Sequence, residues 1–94
     1  MINLPKTTIL SYDEETQAAI VYPITDGKCT VFFVSYGENG KLNNIDLVEN
    51  TFEAGIYACI SQNNVNFTLG KGDKIMVLKD VTALSPVCET FIIE

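Results

Sequence analysis

The chain has 94 residues, of which 47% are hydrophobic and 19% are charged, and its formal net charge is −6. This length predicts a single domain over residues 1–94, and the apolar fraction excludes a disordered tail. Nucleic-acid binding requires clustered Lys and Arg, and the six basic residues here are scattered. No apolar run reaches the roughly 20 residues of a membrane-spanning helix. Neither nucleic-acid binding nor membrane insertion is therefore predicted.

Short β-rich runs separated by turn residues follow one another along the chain, a pattern typical of a sandwich or barrel. The runs cover residues 7–11, 17–24, 29–36, 42–49, 55–60, 65–69, 74–79 and 88–94. Residues 55–60 are open to interpretation as a strand or a bent connection, so the count is about seven. No long window has helical periodicity. The sequence predicts an all-β fold, an antiparallel two-sheet sandwich.

The most apolar run, residues 29–36, has large side chains on both faces and therefore predicts a central strand. Along it, Val31 and Phe33 alternate with Phe32 and Val34. The sequence leaves open which of the two pairs faces the core. The residues predicted to be mostly buried, with the first pair inward, are Val31, Phe33, Val65, Phe67, Ile75, Val77 and Ile92.

A hairpin is predicted after the central strand, at Asn39-Gly40. This dipeptide is the strongest short hairpin signal because both residues tolerate positive φ. The chain then returns through residues 42–49, which read as a polar, solvent-facing strand.

Residues for catalysis are missing from this sequence. Histidine, the commonest general base and metal ligand, is absent. The segment Gly70-Lys71-Gly72 lacks the order of a phosphate-binding loop. The run Asp13-Glu14-Glu15 offers oxygen ligands of the kind calcium takes, but a solvated turn is the favoured interpretation. The sequence predicts no enzyme, no catalytic residue, no cofactor and no metal.

Three cysteines, Cys29, Cys59 and Cys88, lie in or beside apolar stretches. Their wide spacing has no C-x₂-C pair, so a zinc site is not predicted. Reduced cysteines packed as small hydrophobic residues are favoured, and one disulfide between sheets is the alternative. On the first interpretation, all three thiols react with a reagent only after unfolding.

The candidate ligand-stacking residues are Tyr12, Tyr22, Tyr36 and Tyr57, because exposed aromatic rings stack on sugars. Trp, the residue that sugar-binding modules use most often, is absent. A strand Tyr also commonly lies at the rim of the core with its hydroxyl hydrated, so both interpretations stay open.

Two stretches resemble one family of small sandwich modules. Residues 33–42 (FVSYGENGKL) resemble its "A-x-Y-D-x-x-G-[KR]-L" hairpin, and residues 72–89 resemble its "V-K-x-F-x-W-D-x-L-x-x-x-x-P-L-x-E" ending, with Ala54-Gly55 between them. Gly37 replaces the usual Asp. These modules are similar to immunoglobulin and fibronectin type III sandwiches. They occur in clostridial and ruminococcal secreted polysaccharide-degrading enzymes and surface proteins.

The resemblance implies an immunoglobulin-like, non-catalytic accessory module of a bacterial extracellular or cell-surface protein, used for spacing, attachment or docking. Its expected partner is another protein or a neighbouring domain of the same chain. One alternative is a carbohydrate-binding module with a glycan ligand. Another is a free-standing, cytoplasmic acidic protein, for example phage-encoded, that binds and inhibits another protein. Residues 1–6 lack the apolar core of a signal peptide, so we expect either a cytosolic protein or a module of a longer secreted chain.

Overall fold

Eight β-strands make up the regular structure of this protein, in a computed structural model that describes residues 7–80, 85–86 and 88–94. The strands are β1 (Thr8–Asp13), β2 (Ala18–Tyr22), β3 (Gly27–Tyr36), β4 (Leu42–Phe52), β5 (Ala58–Ser61), β6 (Lys74–Asp80), β7 (Ser85–Pro86) and β8 (Phe91–Ile92). No helix that could cross a membrane occurs among the described residues. The all-β prediction is confirmed.

The strands form two antiparallel sheets. The smaller sheet has the order β1-β2-β5, and the larger has the order β4-β3-β6-β7, with β8 also paired to β6. The short strands β7 and β8 lie against the same strand, β7 opposite Leu78 and Asp80, and β8 opposite Lys74 and Ile75. Together they fill one strand position, which gives the seven strands that the sequence predicts.

The strand order is that of an immunoglobulin-like sandwich with one strand exchanged. Lettered A to G along the chain, with β7 and β8 sharing G, the two sheets are A-B-E and D-C-F-G. An immunoglobulin constant domain has strands ABED in one sheet and CFG in the other. The fourth strand, β4, thus leaves the smaller sheet and pairs along its whole length with β3.

The core lies between the sheets and is built from the inward residues of β3 and β6. Val31, Phe33, Ile75 and Val77 are fully or almost fully buried, as predicted from the sequence. In the register, Val31 lies opposite Val77 and Phe33 opposite Ile75, so these four side chains share one face. The other buried members of this cluster are Ile9, Ala19, Val21, Cys29, Phe52, Ile60 and Leu69. Val31 and Phe33, rather than Phe32 and Val34, point inward.

The prediction of burial is wrong for two residues. Val65 is 64% exposed and Ile92 is 53% exposed. Ile92 pairs with Lys74, whose side chain alternates with the inward Ile75, so Ile92 lies on the outer side of the larger sheet. Phe67, which was also predicted to be mostly buried, is half-buried against the core.

Residues 65–69 do not form the strand that their alternating pattern predicts. Two side-chain amides bind the carbonyls of this segment instead. The Gln17 amide donates to the carbonyls of Val65 and Phe67 at 3.0 and 2.9 Å, and the Gln62 amide donates to Asn64 and Phe67 at 3.0 and 2.9 Å. Because these carbonyls are satisfied by side chains, the segment needs no neighbouring strand.

The hairpin after β3 is present, but it is one residue longer than the Asn39-Gly40 prediction. The Gly40 N–H donates to the Gly37 carbonyl at 3.0 Å, and the Gly37 N–H donates to the Lys41 carbonyl at 2.7 Å. Only Gly40 has positive φ (72°), and Asn39 does not. This is the three-residue hairpin loop in which a turn is followed by a bulge residue in the left-handed region.

Candidate binding surfaces

Tyr12 is half-buried against the core rather than part of a ligand platform. Its hydroxyl donates to the Gln62 side-chain oxygen and accepts from the Leu69 N–H at 3.2 Å. Its ring lies 6.2 Å from that of Phe33 between centroids. Burial raises the pKa of this hydroxyl, and the hydrogen bond from Leu69 opposes the rise. Tyr12 is therefore a packing residue rather than a sugar-stacking one.

Tyr36 is half-buried at the end of β3, and the Lys74 ammonium lies 5.3 Å from its ring centroid. Beside it is an open, polar depression of about 400 Å³, formed by the hairpin loop and the loop before β6. Asp73 fixes these two loops together, because its carboxylate accepts the N–H groups of Tyr36 and Gly70 at 3.0 and 2.7 Å. The cation over the ring leaves Tyr36 little surface for stacking.

Tyr22 and Tyr57 are the two predicted stacking residues that the fold brings together. Their ring centroids are 4.9 Å apart and the ring planes are tilted by 59°. Tyr57 is half exposed, and Ile56 beside it is also exposed. The pair lies where β2 leads into Pro23 and where the chain enters β5, on the smaller sheet. It is an exposed aromatic patch, and its tilt presents the rings at an angle rather than as one flat surface.

The acidic run Asp13-Glu14-Glu15 lies at the turn between β1 and β2. The Asp13 carboxylate accepts the Glu15 N–H at 3.0 Å, as in a solvated turn, and the described residues contain no group of acidic, Cys or His side chains able to hold a metal ion.

No disulfide joins the cysteines. Cys29 is buried, and burial raises its pKa, but Cys59 is exposed. The prediction that all three thiols are protected until unfolding is wrong for Cys59.

Exposed apolar side chains of β4 lie on the outer side of the larger sheet. We call this side the outer sheet face, and its described members are Lys28, Thr30, Phe32, Val34, Tyr36, Leu42, Ile45, Leu47, Glu49, Thr51, Lys74, Met76, Leu78 and Ile92. Leu42, Ile45 and Leu47 are 59%, 46% and 42% exposed. On the same side of the sheet, Phe32 and Val34 of β3 and Leu78 of β6 are buried and form a second cluster, separate from the core.

The register of the β3–β4 hairpin explains why β4 places its apolar residues outward. Ile45 lies opposite Val34 and Leu47 opposite Phe32, which are outward residues of β3. Asp46, between them, lies opposite the inward Phe33. Because strand side chains alternate between faces, one hairpin register commits the whole of β4 to this arrangement.

The free edge of β4 is covered near its middle. The inward carboxylate of Asp46 accepts the N–H groups of Asn63 and Asn64 at 2.7 and 3.0 Å, and the Asn63 amide donates to the Leu47 carbonyl at 2.9 Å. A sheet edge normally offers unpaired groups to an added strand. Here the loop after β5 occupies one of them, the Leu47 carbonyl.

Comparisons of this chain with family models, curated proteins and solved structures return no match.

Sequence reasoning missed the outer sheet face because it assigned residues 42–49 to a polar, solvent-facing strand. A signal was present: Leu42, Ile45 and Leu47 interrupt the polar residues, and the last two are spaced by two. That spacing puts side chains on one face of a strand. The pairing of β4 with β3 is needed to show that these side chains lie on the same side of the sheet as Phe32 and Val34.

Proposed function

We propose that this chain is a non-catalytic protein-interaction module that docks a protein partner onto its outer sheet face. The observation that carries the proposal is the exposure of Leu42, Ile45 and Leu47 on one side of β4. Contiguous apolar patches rimmed by polar groups are typical of protein–protein contact sites. The absence of histidine from the sequence agrees with a role without catalysis.

The partner on this proposal presents a flat, mainly apolar surface, because the side chains of a sheet form a shallow surface rather than a groove. It also carries an acidic group, because Lys74 stands among apolar neighbours on the face. Placing the module within a bacterial extracellular or cell-surface protein is part of the same proposal and rests on the resemblance of residues 33–42 and 72–89.

The experiment compares two exposed apolar residues, Leu47 on the face and Val65 away from it. A photocrosslinking amino acid at each position, in cells of the source organism, identifies the partner, which is then purified. We expect saturable binding that weakens about tenfold or more in Leu47→Glu and is unchanged in Val65→Glu, since a charge at an apolar contact is costly. Equal binding by the two variants would refute the proposal.

A second candidate function, carbohydrate binding, is favoured by the proximity of Tyr22 and Tyr57. Exposed aromatic rings contribute contact area to a sugar, and these two are in contact on the smaller sheet. A glycan array separates the two candidates. Binding to one glycan class that is lost in Tyr57→Ala but retained in Leu47→Glu supports this second function; no binding to any glycan removes it.

A further inference from the structure

Two β-turns meet at the end of β3 and form the open depression beside Tyr36. In one turn the Gly40 N–H donates to the Gly37 carbonyl at 3.0 Å, and in the other the Asp73 N–H donates to the Gly70 carbonyl at 3.0 Å. The Asp73 carboxylate joins the turns, because it accepts the N–H groups of Tyr36 and Gly70 at 3.0 and 2.7 Å. The depression of about 400 Å³ therefore has walls that are hydrogen-bonded to each other.

Two ammonium groups line this depression, those of Lys71 and Lys74. Among the residues that the structure describes, neither has a carboxylate within ion-pair distance, whereas Lys28 at the other end of β3 is paired with Glu49 at 2.6 Å. The Lys74 ammonium instead lies 5.3 Å from the centroid of the Tyr36 ring. Since the chain has only six basic residues and a net charge of −6, two unpaired ammonium groups in one depression stand out from an acidic surface.

Two carboxylates also line the depression, and they differ in accessibility. Asp73 is 7% exposed, and both of its oxygens accept backbone N–H groups, so its charge is already bound within the fold. Glu38 is exposed on the turn of the hairpin loop. A ligand that enters from solvent therefore meets two free ammonium groups and one free carboxylate. The Glu38 charge opposes an anion at this place, which supplies a variant of opposite sign for the test below.

Backbone groups add to the donors of the two lysines. Glu38 and Lys71 hold the same position in the two turns, directly after the residue whose carbonyl accepts the closing hydrogen bond. The N–H at that position takes no part in the hydrogen bond of its own turn. Gly37, Gly40 and Gly72 also line the depression, and residues without a side chain let a ligand approach the backbone closely. Turn N–H groups of this kind are a common element of anion-binding concavities.

We propose that this depression binds an oxyanion group between the Lys71 and Lys74 ammonium groups. The group is a carboxylate of an acidic partner or a free inorganic anion, since both offer oxygen acceptors for charge-assisted hydrogen bonds. The inference goes beyond the proposed function, because Lys74 belongs to the outer sheet face but Lys71 and the two turns do not. The depression is open to solvent, so the dissociation constant is on the order of 1 mM and raised salt increases it.

Amide NMR spectra of the full chain, recorded at constant ionic strength, test the site with two probes. One probe is inorganic phosphate, and the other is a glutamate whose α-amino and α-carboxyl groups are blocked, so that only its side-chain carboxylate is charged. We expect saturable shifts of the Gly37, Gly40 and Gly72 amides with at least one probe. The probe that binds more tightly identifies the source of the oxyanion. Failure of both probes to saturate these shifts overturns the inference.

Four charge variants show whether the probe lies where we propose. Lys71→Gln and Lys74→Gln should each weaken binding about threefold or more, and Glu38→Gln should strengthen it about twofold. The matched control is Lys28→Gln, which removes the same charge at the other end of β3 and should leave binding unchanged. Equal weakening by all three lysine variants would reveal an effect of net charge alone and would refute the site. The spectrum of each free variant shows whether it is folded.

Leu47→Glu separates this inference from the proposed function. Leu47 lies on β4 and does not line the depression, so the variant should bind the probe as the wild type does. Saturable binding of a probe, together with no protein partner that depends on Leu47, keeps the oxyanion site and removes the proposed function. A partner that depends on Leu47, together with no probe binding, does the reverse.

Discussion

The Leu69 N–H donates a 3.2 Å hydrogen bond to the Tyr12 hydroxyl, although the two residues are 57 positions apart in the chain. The same hydroxyl donates to Gln62. One phenol on β1 thus ties the smaller sheet to two points of the loop between β5 and β6, Gln62 and Leu69. The loop has no strand partner of its own, so this hydrogen-bonded contact helps to define its path.

Replacing this phenol should destabilise the fold. Tyr12→Phe keeps the ring against Phe33 but removes both hydrogen bonds and leaves the N–H of the buried Leu69 without its acceptor. We expect the free energy of unfolding to fall by about 1–3 kcal/mol, measured by urea denaturation. The control is Tyr57→Phe at an exposed ring, which should change stability by no more than about 0.5 kcal/mol. Equal effects of the two substitutions would contradict the assignment.

The raised pKa of Tyr12 also predicts a pH dependence. The folded protein holds the phenolic proton more tightly than the unfolded chain, in which Tyr has its ordinary pKa of 10.0. The stabilisation from this group is complete below that pH and is lost as pH rises toward the higher folded pKa. Above about pH 10 we expect the wild type to lose stability more steeply than Tyr12→Phe. Parallel curves would refute this, because all other titrating groups are common to both proteins.

Two glycines test the geometry of the hairpin. Gly40 has φ of 72°, and a Cβ added there would meet nothing within 4 Å, so a side chain strains the backbone without a clash. We expect Gly40→Val to cost on the order of 1 kcal/mol or more in unfolding free energy. Gly70 has equally open surroundings but no positive φ, so Gly70→Val is the control and should cost clearly less. Identical unfolding midpoints would mean that the loop relaxes around residue 40.

The thiols should differ in accessibility. In the native protein we expect Cys59 to react rapidly with a thiol reagent, because it is exposed, and Cys29 to react only on unfolding, because it is buried and its pKa is raised. Mass spectrometry after brief labelling locates the modified residue. Cys59→Ser should remove the fast phase. A fast phase that survives this substitution would contradict the placement of Cys59.

The inward carboxylate of β4 should hold the covering loop in place. Asp46→Ala removes the acceptor of the Asn63 and Asn64 N–H groups, and we expect a loss of about 1–3 kcal/mol in unfolding free energy. Amide hydrogen exchange at those two residues should accelerate. Asp26 provides the control, since its carboxylate accepts a single exposed N–H, that of Ala54, and Asp26→Ala should cost less. Unchanged exchange at Asn63 would show that the loop is held by other contacts.

The central position of β3 was predictable from the residues of that strand alone. Residues 29–36 are apolar on both faces, and only a strand with neighbours on both sides buries such a run. β3 indeed lies between β4 and β6, with Val31 and Phe33 inward. The fold class follows from the same kind of local pattern.

The loop at residues 65–69 and the outer sheet face were not predictable in this way. Alternation at Val65, Phe67 and Leu69 is the pattern of a strand, but the amides of Gln62, close in sequence, and of Gln17, 48 positions from Val65, bind its carbonyls. The outer sheet face depends on the pairing of β4 with β3, a relation between strands that no single segment contains. Of the four candidate tyrosines, likewise, the sequence cannot tell which two meet.

Gln17 is the one non-glycine residue with positive φ in the described chain, at 55°. Its amide, at the turn between β1 and β2, holds the loop whose Asn63 covers the edge of β4 in the other sheet. A fluctuation of that turn would release the loop and free the Leu47 carbonyl, a group at the sheet edge to which a strand of another molecule can bind, while both sheets stay folded.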